Sequence, residues 1–114
     1  MDQVFLSRLL HVLSDPTRRA MLHSLKEADK TVTELAAPLR MTFPAASKHV
    51  KILEEAGLVS RQVVGRKHIV HATPGPLLIV DAWLRSYLAS HDDYRCSEGR
   101  DMIHDFLVSV DSPC

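Results

Sequence analysis

The sequence contains few aromatic residues, few cysteines and no long apolar run. Aromatic residues make up 5% of the 114 residues, so we expect a mainly aliphatic core, which favours small packed helices over a large sandwich or barrel. Two cysteines, Cys96 and Cys114, are too few for a disulfide framework. No run approaches the roughly 20 apolar residues of a membrane span, and residues 1–3 lack the basic start of a secretory signal. We therefore predict a cytoplasmic protein with a single globular domain.

The sequence also lacks net charge, but its charges are unevenly distributed. Basic and acidic residues number 14 each, which at first argues against a nucleic-acid partner. Between residues 40 and 68, however, six basic residues stand against two acidic ones. Residues 91–114 show the reverse, with six acidic and two basic residues. One segment should therefore attract a polyanion, and the other should repel it.

Capping residues and prolines predict where the helices begin. The apolar residues of Val4–Leu13 lie on more than one side of a helix, so that helix needs a partner beyond its own core. Asp15 before Pro16 predicts a second helix, which continues to about Ala28.

Two shorter helices follow at the spacing of a helix-turn-helix. We expect Thr33 to cap a helix over residues 34–39, which Pro38 distorts by removing a backbone hydrogen bond. Thr42 caps the next helix, Pro44 lies in its first turn, and Gly57 ends it. About four residues separate the two helices, so the sequence predicts a helix-turn-helix over residues 33–57.

A β-hairpin and more helix are predicted after the helix-turn-helix. Residues 58–72 are rich in valine and isoleucine and should turn at Gly65-Arg66. An apolar helix is expected from Leu77 to about His91, and apolar spacing indicates a last helix within residues 102–110. The predicted fold is mainly α with a small β-hairpin: one winged helix-turn-helix domain over residues 1–114, with a wing at 58–73 and dimerisation helices at 1–13 and 76–110.

The second helix of the helix-turn-helix has one apolar and one polar face. Ala46, Val50 and Leu53 share the apolar face. On the polar side, short side chains allow close approach to base edges, and lysines can reach phosphates or guanine acceptors. A solvated helix face explains the same charges equally well when they are considered alone.

Basic residues around the predicted hairpin turn favour the DNA-binding interpretation. Alone they indicate a solubilising turn, but after a helix-turn-helix they are typical of a wing that contacts the DNA backbone or minor groove. His49 is left between two roles, a half-buried structural residue or a phosphate contact. The predicted DNA-binding residues are Thr42, Pro44, Ala45, Ser47, Lys48, His49, Lys51, Arg61, Arg66 and Lys67.

Five segments resemble the ArsR/SmtB family of small bacterial winged-helix repressors. They are LSDPTRR at 13–19, TVTELA at 31–36, PAASKHV at 44–50, LEEAGLV at 53–59 and Gly65-Arg66. The resemblance implies a homodimer built from the first and last helices, which represses transcription by binding a palindromic operator in double-stranded DNA. Two recognition helices would then enter successive major grooves, about 34–36 Å apart.

The metal sites found in this family are incomplete in the sequence. One uses paired cysteines in the first helix of the helix-turn-helix, where residues 34–38 contain none. Another uses Asp-x-His on the dimerisation helix, where Asp81 is followed at the third position by Trp83. His68 and His71 are three residues apart on a strand and should point to opposite faces. We therefore predict no metal and no cofactor, and no motif indicates an enzyme.

Two other functions remain open at this point. The zero net charge and the acidic segment fit a winged-helix protein-interaction module that does not bind DNA. Alternatively, Cys96 and Cys114 could make a repressor responsive to thiol oxidation or to a thiophilic metal, although 18 residues is not a recognised ligand spacing.

Overall fold

A computed structural model describes residues 3–89, which form five α-helices, one 3-10 helix and a three-stranded sheet. The chain divides into two compact units after Val80. The predicted helix within residues 102–110 and both cysteines lie outside the described residues. The elements are α1 (Gln3–Leu13), α2 (Pro16–Leu25), β1 (Lys30–Thr31), α3 (Val32–Ala36), the 3-10 helix (Ala37–Leu39), α4 (Phe43–Glu55), β2 (Val59–Val64), β3 (Lys67–Ala72) and α5 (Leu77–Leu88).

The first unit is organised around an aliphatic core, as the low aromatic content predicted. Side chains from α1, α2, α3, α4 and the sheet meet there, and the fully buried ones are aliphatic. Burial of each large side chain contributes about 1.5–3 kcal/mol. The largest fully buried side chains are Leu9, Met21, Val32, Val50, Leu53, Leu58 and Val70.

Helix α2 begins where its capping residue predicted. The Asp15 carboxylate accepts a hydrogen bond from the Thr17 backbone N–H at 2.8 Å, and Pro16 occupies the first turn. The helix ends at Leu25 rather than near Ala28, because the chain must leave it to place Lys30 in β1.

Helix α3 is capped by Thr31, so the assignment of the cap to Thr33 was wrong. The Thr31 hydroxyl accepts from the Glu34 N–H at 3.1 Å, and the Glu34 carboxylate accepts from the Thr31 N–H at 2.9 Å. This reciprocal pair is a capping box. It gives hydrogen-bond acceptors to two backbone N–H groups, those of Thr31 and Glu34, which would have no side-chain acceptor if Thr33 were the cap. Pro38 distorts the end of the helix as predicted, since residues 37–39 tighten into the 3-10 helix.

The turn into α4 and the end of α4 are set by local chemistry. Arg40 adopts a left-handed φ of 53°, which reverses the chain between the two helices. The Thr42 hydroxyl accepts from the Ala45 N–H at 3.3 Å, and Pro44 lies in the first turn, both as predicted. Gly57 has a φ of 78° just beyond the helix, in the conformation that glycine adopts at helix ends.

The wing is the antiparallel pair β2–β3, which joins the two-residue strand β1. Val64 pairs with Lys67 across the turn, and Gly65 has a φ of 63°, the sign that a type II′ turn requires at its first central residue. Strand β1 pairs with β3 at Lys30–Val70, which gives the strand order β1-β3-β2. The sequence did not reveal β1, because two residues are too few to show alternation.

The described part of the second unit is the end of α5. Asp81 and Arg85 form an ion pair at 2.8 Å, one helical turn apart. The Trp83 and Tyr87 rings stack with centroids 6.3 Å apart. Among residues 3–89, no helix has the length and apolar character to cross a membrane, and no group of three potential metal ligands comes together.

Candidate nucleic-acid interface

Helix α4 has the two faces that its sequence predicted. Ala46, Val50 and Leu53 are all 0% exposed and fix the helix on the core. Because these three residues point inward, the opposite side must face outward. The residues exposed on that side are Pro44, Ala45, Lys48, Lys51 and Glu55.

The exposed face combines small side chains near the start of α4 with cations further along it. Ala45 lets the backbone come close to a surface, and Ser47, half-buried at the edge of the face, supplies a hydroxyl. Lys48 and Lys51 form no ion pair with any carboxylate in residues 3–89. The face therefore offers hydrogen-bond donors and positive charge with little steric obstruction, which suits the major groove of DNA.

The wing is attached to α4 at two points. The Arg61 guanidinium on β2 donates to the Ser47 hydroxyl and to the Ser47 carbonyl, both at 3.1 Å. The His68 ring on β3 meets the Phe43 ring edge-on, with centroids 5.6 Å apart. The wing and α4 are thus packed and hydrogen-bonded together within one unit.

Two of the predicted cations lie at the exposed tip of this wing. Arg66 belongs to the turn and Lys67 is the first residue of β3, and both side chains are exposed. Neither forms an ion pair with a described carboxylate. Their charges are thus available to a polyanion, whereas the guanidinium of Arg61 is already bound to Ser47.

His49 faces the start of α2 rather than the exposed side of α4. Its Nδ1 lies 3.6 Å from the Asp15 carboxylate and 3.5 Å from the Arg18 guanidinium. Arg18 is only 8% exposed, pairs with Asp15 at 3.1 Å and donates from Nε to the Val12 carbonyl at 2.8 Å. The cluster links the end of α1, the start of α2 and the middle of α4, which supports the structural role left open for His49.

Asp15 is the acidic member of this cluster, and its pKa is lowered below the usual 3.8. The main cause is the hydrogen bond from the Thr17 N–H, and the charges of Arg18 and His49 act in the same direction. Because the folded-state pKa is below the unfolded one, the carboxylate stabilises the fold above about pH 3.8. This stabilisation is lost as the pH falls through the folded-state pKa.

We predict that Asp15→Ala lowers the free energy of unfolding by about 1–2 kcal/mol at pH 7, since it removes a helix cap and leaves Arg18 buried without its carboxylate. Urea unfolding at pH 7 and below pH 3.8 should show the difference from the unmodified protein shrinking in acid. Asp15→Asn is the control, because it keeps the cap and removes only the charge. A loss of stability after Asp15→Ala that does not change with pH would contradict this role.

The fold brings most of the predicted site residues to one side of the first unit. Thr42, Pro44, Ala45, Ser47, Lys48 and Lys51 belong to α4 or its cap, and Arg66 and Lys67 to the wing tip. Arg61 and His49 are in the same region, but the Arg61 guanidinium donates to Ser47. The His49 ring lies beside Asp15 and Arg18. Sequence reasoning missed Arg18 and Phe43 as structural residues, although Arg18 lies in the LSDPTRR segment.

Comparisons with known proteins identify relatives of the same architecture. Residues 15–61 match the family model "Bacterial regulatory protein, arsR family". The HTH-type transcriptional regulator Rv2034 of Mycobacterium tuberculosis is 36% identical over 67 residues, which are 59% of this chain and 63% of that protein. The HTH-type transcriptional repressor SmtB of the same species is 39% identical over 59 residues, which are 52% of this chain and 44% of that protein. The chain thus spans less than two thirds of either relative.

A solved structure shows the likeness over a longer range. The crystal structure of the ArsR family transcriptional regulator RHA00566 superposes with a TM-score of 0.76 at 33% identity, over 81% of this chain and 95% of that one. The predicted winged helix-turn-helix fold is therefore confirmed. By sequence, by fold and by the placement of α3, α4 and the wing, this chain belongs to the ArsR family.

Proposed function

We propose that this chain is a sequence-specific DNA-binding transcriptional regulator that represses transcription as a homodimer. One observation carries the proposal: the outer face of α4, with its small side chains and its lysines, lies beside a wing whose exposed tip carries Arg66 and Lys67. The helix would contact base edges in the major groove, and the wing would contact the adjacent backbone. Such a protein acts in the cytoplasm, where the bacterial chromosome lies.

The names of the relatives support the same function, regulation of transcription. Both Mycobacterium tuberculosis proteins carry transcriptional regulation in their names, and so does the repressor SdpR of Bacillus subtilis, which is 26% identical over 90 residues. Relatives with regulatory roles favour a regulator over an enzyme. The operator that we propose is palindromic, because a two-fold symmetric dimer presents two identical α4 helices.

The direct test is selection of bound fragments from genomic DNA, followed by affinity measurements over a range of salt concentrations. We expect enrichment of a specific sequence and a linear fall of log K with log[salt], because binding releases counterions from the phosphates. Absence of any bound fragment at low salt would instead favour a protein-interaction module.

Removing the charges of the wing tip should reduce this salt dependence. For Arg66→Ala/Lys67→Ala we predict that the slope of log K against log[salt] becomes shallower by about 1.8, since each phosphate contact contributes about 0.9. Fluorescence anisotropy with labelled operator DNA measures the slope. Lys26→Ala, at an exposed cation just after α2, is the control and should leave the slope unchanged. An unchanged slope in the wing variant would remove the wing from the interface.

The homodimer has support in exposed apolar residues of the first unit. Leu10 on α1 is 43% exposed and Leu78 at the start of α5 is 70% exposed, although both helices also contribute side chains to the core. A related fold, Mb0332 from Mycobacterium bovis, is named as a homodimeric winged helix-turn-helix DNA-binding domain; at 18% identity it shows the fold alone.

A charge on the exposed side of α1 should break the dimer. We predict that Leu10→Lys converts a dimer into a monomer in light scattering coupled to size exclusion, because it places an ammonium group in an apolar interface. Arg8→Ala, at another exposed position of α1, is the control and should remain dimeric. If Leu10→Lys stays dimeric at micromolar concentration, the interface lies elsewhere.

A further inference from the structure

The contact between Arg61 and Ser47 determines what the Ser47 hydroxyl can do. Arg61 Nη1 donates to Ser47 Oγ, and Nη2 donates to the Ser47 carbonyl, each at 3.1 Å. The two residues are 14 positions apart in sequence, and the forked guanidinium donates two parallel hydrogen bonds to one residue of α4. The Arg61 side chain is half-buried, and its Nε has no hydrogen-bond partner among the described residues.

A serine hydroxyl has one hydrogen to donate and two lone pairs with which to accept. In Ser47 one lone pair is taken by Arg61, and the hydroxyl hydrogen has no acceptor among residues 3–89. The neighbouring guanidinium polarises the O–H bond and opposes the approach of a second donor. Ser47 is therefore set up to donate a hydrogen bond, and accepting a further one is disfavoured.

In the major groove, a hydroxyl that donates but does not accept discriminates between the bases. Guanine presents N7 and O6, adenine N7 and thymine O4 as acceptors, whereas cytosine presents only its N4 amino group as a donor. A hydroxyl that accepts and donates equally well would tolerate all four bases. A hydroxyl that only donates favours an acceptor and penalises cytosine on the contacted strand.

We propose that Arg61 is a positioning residue for specificity: it holds Ser47 as a hydrogen-bond donor, so that α4 selects a base with a major-groove acceptor and rejects cytosine. The inference rests on the DNA-binding function proposed above. It gives Arg61 a different role from the exposed cations of the wing tip. Arg66 and Lys67 would contribute affinity that depends on salt, and Arg61 would contribute base preference.

The test compares base preference and salt dependence in the same variants of the full chain. Selection from a randomised operator library should show that Ser47→Ala and Arg61→Ala each relax the preference at the same base pair, by about 5- to 150-fold. The double variant should be no more relaxed than Ser47→Ala alone, because Arg61 acts through Ser47. Ser47→Thr keeps the hydroxyl and should retain the preference.

Salt titration separates this role from a phosphate contact. Arg61→Ala should leave the slope of log K against log[salt] unchanged, whereas Arg66→Ala should make it shallower by about 0.9. Arg61→Met keeps the packing of the long stem and serves as a second variant if the alanine variant does not fold. A shallower slope with the base preference intact would overturn the inference and make Arg61 a phosphate contact. If the unmodified protein selects no sequence, the proposed function fails together with it.

Discussion

Alanine at both Ser47 and Lys48 should leave a folded protein that no longer selects its operator, with at least a 30-fold loss of affinity for that sequence. Each mismatched base pair in a specific site costs about 1–3 kcal/mol, or about 5- to 150-fold in affinity, and the loss of the side chains that contact those base pairs should cost a similar amount. The two side chains occupy the outer part of α4, and neither belongs to the core. The loss should therefore come mainly from binding, since the only described side-chain hydrogen bond removed is the one from Arg61 to the Ser47 hydroxyl, which costs about 0.5–1.5 kcal/mol of stability.

Fluorescence anisotropy against the operator and against a scrambled sequence, at one salt concentration, measures this loss. Affinity for the scrambled DNA should fall much less, because the phosphate contacts that we propose for Lys51 and the wing tip would persist. The control Lys26→Ala removes one exposed cation away from α4 and should change neither affinity appreciably. A double variant that still prefers its operator by the original ratio would show that α4 is not the recognition helix.

Leu53→Ala should lower the free energy of unfolding by about 2–5 kcal/mol, the largest effect on stability that we expect from one residue of α4. Leu53 is 0% exposed and packs in the centre of the first unit. Truncation removes three buried carbon atoms and leaves a cavity that the surrounding aliphatic side chains fill only in part. Since small domains are stable by about 5–15 kcal/mol, the change removes much of the total.

Urea unfolding followed by circular dichroism tests this, with an unchanged dependence on denaturant as evidence that only stability has altered. Glu54→Ala, the exposed neighbour, should shift stability by less than about 0.5 kcal/mol. A change below 1 kcal/mol for Leu53→Ala would mean that α4 is held on the unit by something other than its apolar face.

Local chemistry explains why much of the fold could be predicted from the sequence. The helix caps and turn glycines act within a few residues of sequence, so their effects are visible there. They are Asp15 before Pro16, Thr42 before Pro44, and the glycines at 57 and 65.

The cap of α3 was misplaced although a local signal existed. Thr31 has a glutamate three residues later and Thr33 has an alanine there, so only Thr31 can form a capping box.

The contacts that shape the candidate site could not be predicted in the same way. Arg61 and Ser47 meet only after the wing has folded beside α4, and Arg18 reaches His49 across 31 residues of sequence. Arg61 in a strand and Arg18 in a helix are each typical of a solvated surface when only neighbouring residues are considered. The sequence therefore shows which residues are chemically suited to bind DNA, but not which of them contact each other in the folded protein.

The two attachments between the wing and α4 also limit the DNA that one protomer can fit. Because Arg61 holds Ser47 and His68 packs on Phe43, the distance between the helix and the wing tip cannot change without breaking a hydrogen bond or an aromatic contact. One inserted base pair moves the backbone by about 3.4 Å along the DNA axis. In a protomer that binds with both elements, each half-site should have a fixed length, and variation between operators should be confined to the spacer between the halves.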